Sequence, residues 1–198
     1  MNKGRKQGKF IMLLGVLFVL SSLGLTFYNS YEEKNAERFS SQVLEKLDMA
    51  QVTEGVSSIP DYVVNPGMDM PEKEIDGKYY VGTVSIPALG ITLPVMAEWS
   101  YENFKISPCV YEGTPYKNDF IVCAHNYRNH FGSLKNLTQG DRVTFKDFDG
   151  NVFTYEVLYT EILDNNAVEE MSAGDWDMTL FTCTYGGATR VTVRCVLI

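Results

Sequence analysis

From Phe10 to Tyr28 the chain runs FIMLLGVLFVLSSLGLTFY, nineteen positions without a charge. At 1.5 Å per residue that is about 28 Å of helix, close to the hydrocarbon thickness of a bilayer. Lys3, Arg5, Lys6 and Lys9 precede it, and no acidic residue occurs before Glu32. A cleavable signal has a shorter apolar region, about 7–15 residues, and ends at a small-x-small site, for which Ser21-Ser22-Leu23-Gly24 is a weak match. The pattern predicts an uncleaved, single-pass anchor over 10–28, with basic residues 1–9 in the cytoplasm and the remainder outside.

Beyond the anchor, Ala36, Phe39, Val43, Leu47 and Ala50 recur three or four residues apart in a polar background. This is the spacing of one helix face. Fewer than three heptads are present, so a stalk packed on the domain or on the membrane surface is expected rather than a zipper. Gly55, Pro60, Pro66-Gly67 and Pro71 then punctuate 51–76 too often for a long helix or central strand. Stalk and linker together occupy 29–76.

After Gly77 the pattern changes to short runs rich in Val, Ile, Thr, Tyr and Phe, and a domain over 77–198 is expected. Predicted strands are Tyr80–Ile86, Ile91–Val95, Asp119–Ala124, Arg142–Asp147, Val152–Thr160, Thr179–Thr182 and Arg190–Leu197. Asp149-Gly150 lies between two alternating runs and predicts a hairpin whose two central positions accept positive φ. Helical turns are expected at Tyr101–Phe104, His130–Leu137 and Val168–Ala173. Sheet on this scale must hide both an apolar face and its edges, which implies a closed or nearly closed barrel.

With 45% hydrophobic and 21% charged residues among 198, the composition fits one globular domain with appendages. Net charge is −8, but residues 29–198 carry 13 basic against 25 acidic side chains, a balance of −12. Such a surface repels phosphate backbones, so nucleic acid is not an expected partner.

Four cysteines and two histidines hold the candidate chemistry. Cys195 alternates with Val191, Val193 and Leu197 and reads as a small buried hydrophobe, as does Cys123 within Phe120–Ala124. Cys183 differs, because it closes an apolar strand just before Thr184-Tyr185-Gly186-Gly187-Ala188-Thr189 and Arg190 opens the returning strand. A thiol at a strand end is accessible to substrate, and an arginine across the hairpin supplies a charged fork for a carbonyl or an oxyanion. Ile121, Cys123 and His125 alternate on one face, aiming the imidazole from the end of its own strand. A thiol and an imidazole distant in sequence but near in space supply both a nucleophile and an acid for a leaving amine. Cys123, His125 and His130 match no usual zinc spacing, so no metal is expected.

These segments resemble the sortase family, membrane-anchored cysteine transpeptidases of Gram-positive bacteria. Thr179-Leu180-Phe181-Thr182-Cys183 is similar to the family's Thr-Leu-x-Thr-Cys motif, and Ala124-His125-Asn126 to its Gly/Ala-His-Asn segment. Phe131, Leu134, Leu137 and Gly140-Asp141-Arg142-Val143 resemble the stretch that follows, and Arg190-Val191-Thr192-Val193 the opening of the last strand. The resemblance implies an eight-stranded sortase-type β-barrel with short helices, preceded by the transmembrane helix and stalk. It implies Cys183 as nucleophile, His125 as general acid/base and Arg190 as the group on the substrate carbonyl or oxyanion, with Arg194 on the same strand face as an alternative. Asn126, Thr182 and Tyr185 are expected to contact substrate.

The implied reaction cleaves an LPxTG-like sorting signal through a cysteine thioester and passes the acyl group to an amine. The implied partners are sorting-signal-bearing surface proteins or pilins, and a peptidoglycan precursor or a pilin lysine as acceptor. No cofactor is implied, and the acid cluster of calcium-stimulated members is not identifiable. Asn65-Pro66-Gly67-Met68 lacks the Asp and the aromatic of the pilin-type lid, so 65–71 is not assigned that role. A free Cys183 leaves at most one disulfide among Cys109, Cys123 and Cys195, and a reduced set is expected. Two other functions fit less of the chain: a cysteine peptidase that hydrolyses its substrate, and a non-enzymatic, cell-wall-binding β-module.

Overall fold

The computed structural model describes residues 3–50, 59–174 and 176–198, with the side chains of the first segment described from Gly8 to Leu47. The 51–58 part of the expected linker lies outside the described residues. The chain divides into two compact units, Met1–Asn35 and Ala36–Ile198.

Helix α1 runs over Lys3–Ala50. In the first unit its apolar side chains from Phe10 to Tyr28 are exposed on every side, as a helix solvated by lipid requires. It is long and apolar enough to cross a membrane. In the second unit Ala36, Val43 and Leu47 are buried, and Ser40 donates to the Ile106 carbonyl at 3.5 Å. Burying Val43 and Leu47 contributes about 2 kcal/mol each. The stalk face read from the sequence thus packs on the domain.

Among the described residues nine strands form one sheet. They are β1 (Lys73–Ile75), β2 (Lys78–Ile86), β3 (Ile91–Met96), β4 (Cys109–Glu112), β5 (Phe120–Cys123), β6 (Arg142–Asp147), β7 (Val152–Asp164), β8 (Met178–Cys183) and β9 (Thr189–Leu197). Their order is β1-β2-β3-β4-β5-β8-β9-β7-β6, and β6 returns to pair with β2. Eight strands therefore close into the expected barrel, with β1 an added strip along the start of β2. Short helix α2 (Asp61–Val64) precedes β1, and α3 (Tyr101–Ile106) and α4 (Val168–Ser172) sit between strands.

Closure creates two apolar layers. Val84, Val122, Phe145, Tyr155, Leu180 and Val193 belong to the interior cluster, which draws on seven of the closed strands, with Val110 of β4 packed against it. Cys109, Ile121, Cys123 and Phe181 alternate with interior residues on β4, β5 and β8, and they join Val43, Leu47, Phe104 and Met171 in a second cluster. The middle of the sheet is thus covered on both faces. This explains why Phe120–Ala124 reads as an unbroken apolar run, and why β5 and β8 can pair in parallel.

Four local expectations are corrected. The Asp149-Gly150 turn places only Gly150 at positive φ, +87°. Asp147 instead accepts from the amides of Asp149 and Asn151 and from Tyr116 Oη, so its buried carboxylate organises a longer loop. Within His130–Leu137 only Leu134–Asn136 is helical, as a 3₁₀ turn. Strand β4 was not expected, because Pro108 and Glu112 mask a run of four residues. Last, the punctuated segment after Pro60 contains both α2 and β1, where short elements fit between the prolines.

Candidate active site

Parallel neighbours β5 and β8 end at the same edge of the barrel. Cys123 is in register with Phe181, Ala124 N donates to the Phe181 carbonyl at 3.2 Å, and Thr182 Oγ1 donates to the Ala124 carbonyl at 2.7 Å. His125, just past the end of β5, and Cys183, the last residue of β8, come next along the two segments, so the topology brings both to one edge of the barrel. Antiparallel β9 completes the set by placing Arg190 directly opposite Cys183.

The loop between Cys183 and Arg190 is closed by its threonines. Thr184 N donates to the Thr189 carbonyl at 2.9 Å, and the two hydroxyls lie 2.8 Å apart. Gly186 and Gly187 take φ of +84° and +74°, which a chain reversal this short demands and other residues resist. Arg190 Nη1 donates to the carbonyls of Gly187 and Thr189 at 3.0 and 3.1 Å. Two of the five guanidinium donors are thereby engaged, which ties the fork to the loop that follows the thiol.

Aromatic rings hold His125. Its imidazole stacks on Tyr127 at 4.0 Å between centroids with an interplanar angle of 26°, and Phe104 of α3 lies 5.4 Å away. Ser100 caps α3 by accepting from Asn103 N at 3.0 Å, which starts the helix that presents Phe104. The loop after His125 folds back on itself: Phe131 N donates to the His125 carbonyl, while His130 N and Gly132 N donate to that of Tyr127. A Cβ on Gly132 would lie 2.4 Å from the Asn126 carbonyl oxygen, so only glycine fits.

A cleft of about 280 Å³ opens on Cys183 and Arg190, lined also by Phe104, Tyr111 and Phe181, and by Ala167, Val168 and Met171 from the segment carrying α4; His125 stands beside Phe104 rather than in the lining itself. Trp99 and Tyr101 extend its aromatic rim, where Trp99 lies 6.3 Å from Tyr111 and Tyr111 meets Phe181 edge-on at 5.1 Å. Among the described residues no three His, Cys, Asp or Glu side chains converge as metal ligands.

Other predicted contacts lie elsewhere. Thr182 is buried on the interior side, opposite to Cys183, and its hydroxyl ties β8 to β5 rather than facing the cleft. Tyr185 is 99% exposed at the tip of the loop, outside the cleft lining. Asn126 is half-buried beside Gly132. Arg194 is 2% exposed and bonds Glu161, Thr179 Oγ1 and the carbonyls of Glu170 and Met171. Four of its five N–H donors are committed and it does not line the cleft, so it cannot stand in for Arg190. Pro66 lines a separate groove with Tyr116 and Ile198, and Met68 and Met70 pack on the barrel core, so 65–71 does not cover the cleft. Sequence reasoning missed Tyr127 and Trp99, whose signal is an aromatic set among polar neighbours in a loop, and Tyr111, which lies on the unexpected strand β4.

A family model described as the sortase domain matches residues 84–198. The chain belongs to the sortase family. This sortase is 23% identical over 188 residues to sortase A of Bacillus anthracis, covering 90% of this chain and 88% of that protein. Its fold is similar to sortase C from Clostridium perfringens SM101, with a TM-score of 0.54 at 22% identity over 84% of this chain and 89% of that one. It is also similar to a Clostridium perfringens sortase D5 transpeptidase, with a TM-score of 0.58 at 16% identity over 83% and 99% of the two chains. The protein is a sortase-type cysteine transpeptidase.

Proposed function

We propose that Cys183 attacks the carbonyl at the scissile bond of an LPxTG-like sorting signal, that His125 protonates the leaving amine, and that Arg190 holds the carbonyl oxygen as it becomes an oxyanion. The acyl group then rests on Cys183 as a thioester. An entering amine, from a peptidoglycan precursor or a pilin lysine, gives a proton to His125 and takes the acyl group. The observation that carries this reading is the direct cross-strand pairing of Cys183 with Arg190, with His125 at the same end of the adjoining parallel strand. Fixed donors at a developing oxyanion lower the barrier because they need no reorganisation during reaction. The aromatic cleft suits the apolar part of the signal and excludes water from the thioester, which favours an amine over hydrolysis.

Basic residues 1–9 remain cytoplasmic and α1 places the catalytic unit outside, where sorting signals of surface proteins arrive. The test supplies an LPxTG-type peptide with and without a glycine or lysine amine and resolves products by mass. Formation of the amide-linked product is expected, with its loss in Cys183→Ala. Appearance of the hydrolysed acid alone would leave a peptidase.

A further inference from the structure

Cys109 of β4 and Cys123 of β5 are direct partners in the antiparallel register, and neither is exposed. Both belong to the outer cluster beneath the cleft, against which Cys183 also packs. Opposed residues in such a pair hold their Cβ atoms about 4.5–5.5 Å apart, within a small adjustment of the roughly 3.5–4.5 Å that a disulfide spans. We propose that Cys109 and Cys123 form a cross-strand disulfide in the exported protein, stapling β4 to β5 while leaving Cys183 free.

Geometry selects this pairing over the others. Cys123 is in register with Phe181 of β8, so Cys183 stands two residues further along on the same face. A diagonal neighbour of that kind lies about 7–8 Å away, beyond the reach of a disulfide unless the backbone moves. Cys195 belongs to the interior cluster, on the opposite side of the sheet. Of the three partners open to Cys123, only Cys109 is aligned.

Strand β4 is also where a staple has most to hold. It makes one register pair with β3, Met96 with Cys109, and three with β5, interrupted by an irregularity between Val110 and Glu112. This lightly held strand carries Tyr111 into the cleft, and its partner β5 leads to His125. An unpaired Cys123 would in addition leave a second thiol beside the nucleophile in a compartment where disulfides persist.

Burial pushes the Cys109 thiol up to about 12 and raises that of Cys123 as well, so thiolate is scarce once the domain has folded. The bond therefore forms during folding. The oxidant is a disulfide-bearing compound, either a low-molecular-weight disulfide or an extracytoplasmic thiol oxidase. One cysteine attacks it to give a mixed disulfide, and the second displaces the carrier. Two protons and two electrons leave the pair, and the oxidant is reduced to two thiols.

The full chain in detergent is unfolded in urea, refolded in a buffer of reduced and oxidised glutathione, quenched in acid and alkylated. It is then reduced, alkylated with a second reagent and mapped by peptide mass. The second label is expected on Cys109 and Cys123, and the first on Cys183 and Cys195. Reduction of the wild type should lower its thermal midpoint by roughly 6–12 °C, a drop absent from the Cys109→Ser/Cys123→Ser variant. First label on all four cysteines, or a bond that includes Cys183, would overturn the assignment. The readout is mass rather than turnover, so it stands apart from the test of the reaction.

Discussion

Arg190 and Arg194 carry the same charge on the same face of β9, yet their surroundings separate them. The turn uses two N–H donors of Arg190, which lines the cleft with Cys183, whereas Arg194 is enclosed by Glu161, Thr179 and the carbonyls of α4. Arg190→Lys should lower kcat/KM on the order of 10²–10³-fold, the usual loss for an oxyanion donor, while the melting curve hardly moves. Near-full activity in steady-state assays would remove Arg190 from the mechanism. On the proposed mechanism Tyr127 is a positioning residue that acts through His125, against which its ring is stacked. Tyr127→Phe keeps that ring and should keep kcat. Tyr127→Ala should lower it by about tenfold with KM unchanged, and equal kcat in both variants would dismiss the role.

His130 is fully buried five residues beyond His125, and its ring lies 5.6 Å from Tyr127. Burial, reinforced by the charge of His125, lowers its pKa from 6.5 to about 4. Below pH 6.5 the unfolded chain takes up a proton that the folded protein refuses until about pH 4. The neutral-imidazole contribution is therefore complete above pH 6.5, and it declines by about 1.4 kcal/mol per pH unit down to about pH 4. About 3 kcal/mol is at stake across that window. Urea midpoints at pH 7.5 and 4.5 should differ less in His130→Phe than in the wild type, and equal differences would show that His130 does not set the acid limit.

At the scale of elements, the cleft depends on pieces that do no chemistry. Arg194 links β9 and β8 to the last turn of α4, and α4 supplies Val168 and Met171 to the cleft wall. Arg194→Met removes the charge and strands two buried carbonyls, so a loss on the order of 3 kcal/mol is expected in chemical denaturation. A loss below 1 kcal/mol would mean that the wall holds itself. Across the cleft, the loop after His125 is as tight: Gly132→Ala would press a methyl on the Asn126 carbonyl.

The strands that build the barrel interior were legible because their outward positions alternate with inward ones, as in Arg142–Asp147 and Val152–Thr160. Cys183, His125 and Arg190 stood out because each lies at an end of an apolar run beside a glycine-bearing or polar loop, and the register sets Arg190 opposite Cys183. What could not be read was set by partners distant in sequence. Cys109–Glu112 is a strand because Met96, Val122 and Cys123 flank it, although its own composition is neutral. Thr182 looked available because its neighbour is the cysteine, but the period of two turns its hydroxyl inward to Ala124. Arg194 looked equivalent to Arg190 until Glu161 and α4 were placed around it.

At the scale of the whole molecule, charge and hydrophobicity are divided along the chain. Lys3, Arg5, Lys6 and Lys9 stand before the apolar stretch of α1, exposed from Phe10 to Tyr28, and the acidic remainder follows with a balance of −12. Short basic segments resist translocation, whereas long following domains cross regardless of their charge. The helix should therefore insert with residues 1–9 inside and Cys183 outside. A membrane-impermeant maleimide applied to intact cells should label the wild type at Cys183 and leave Cys183→Ala unlabelled, since Cys109, Cys123 and Cys195 are buried. Replacing the four basic residues with glutamate should reduce this surface labelling several-fold at equal total protein. If label reached Cys183 only after the cells were permeabilised, the catalytic unit would lie in the cytoplasm. The reaction with exported sorting signals would then be excluded, even with the site geometry intact.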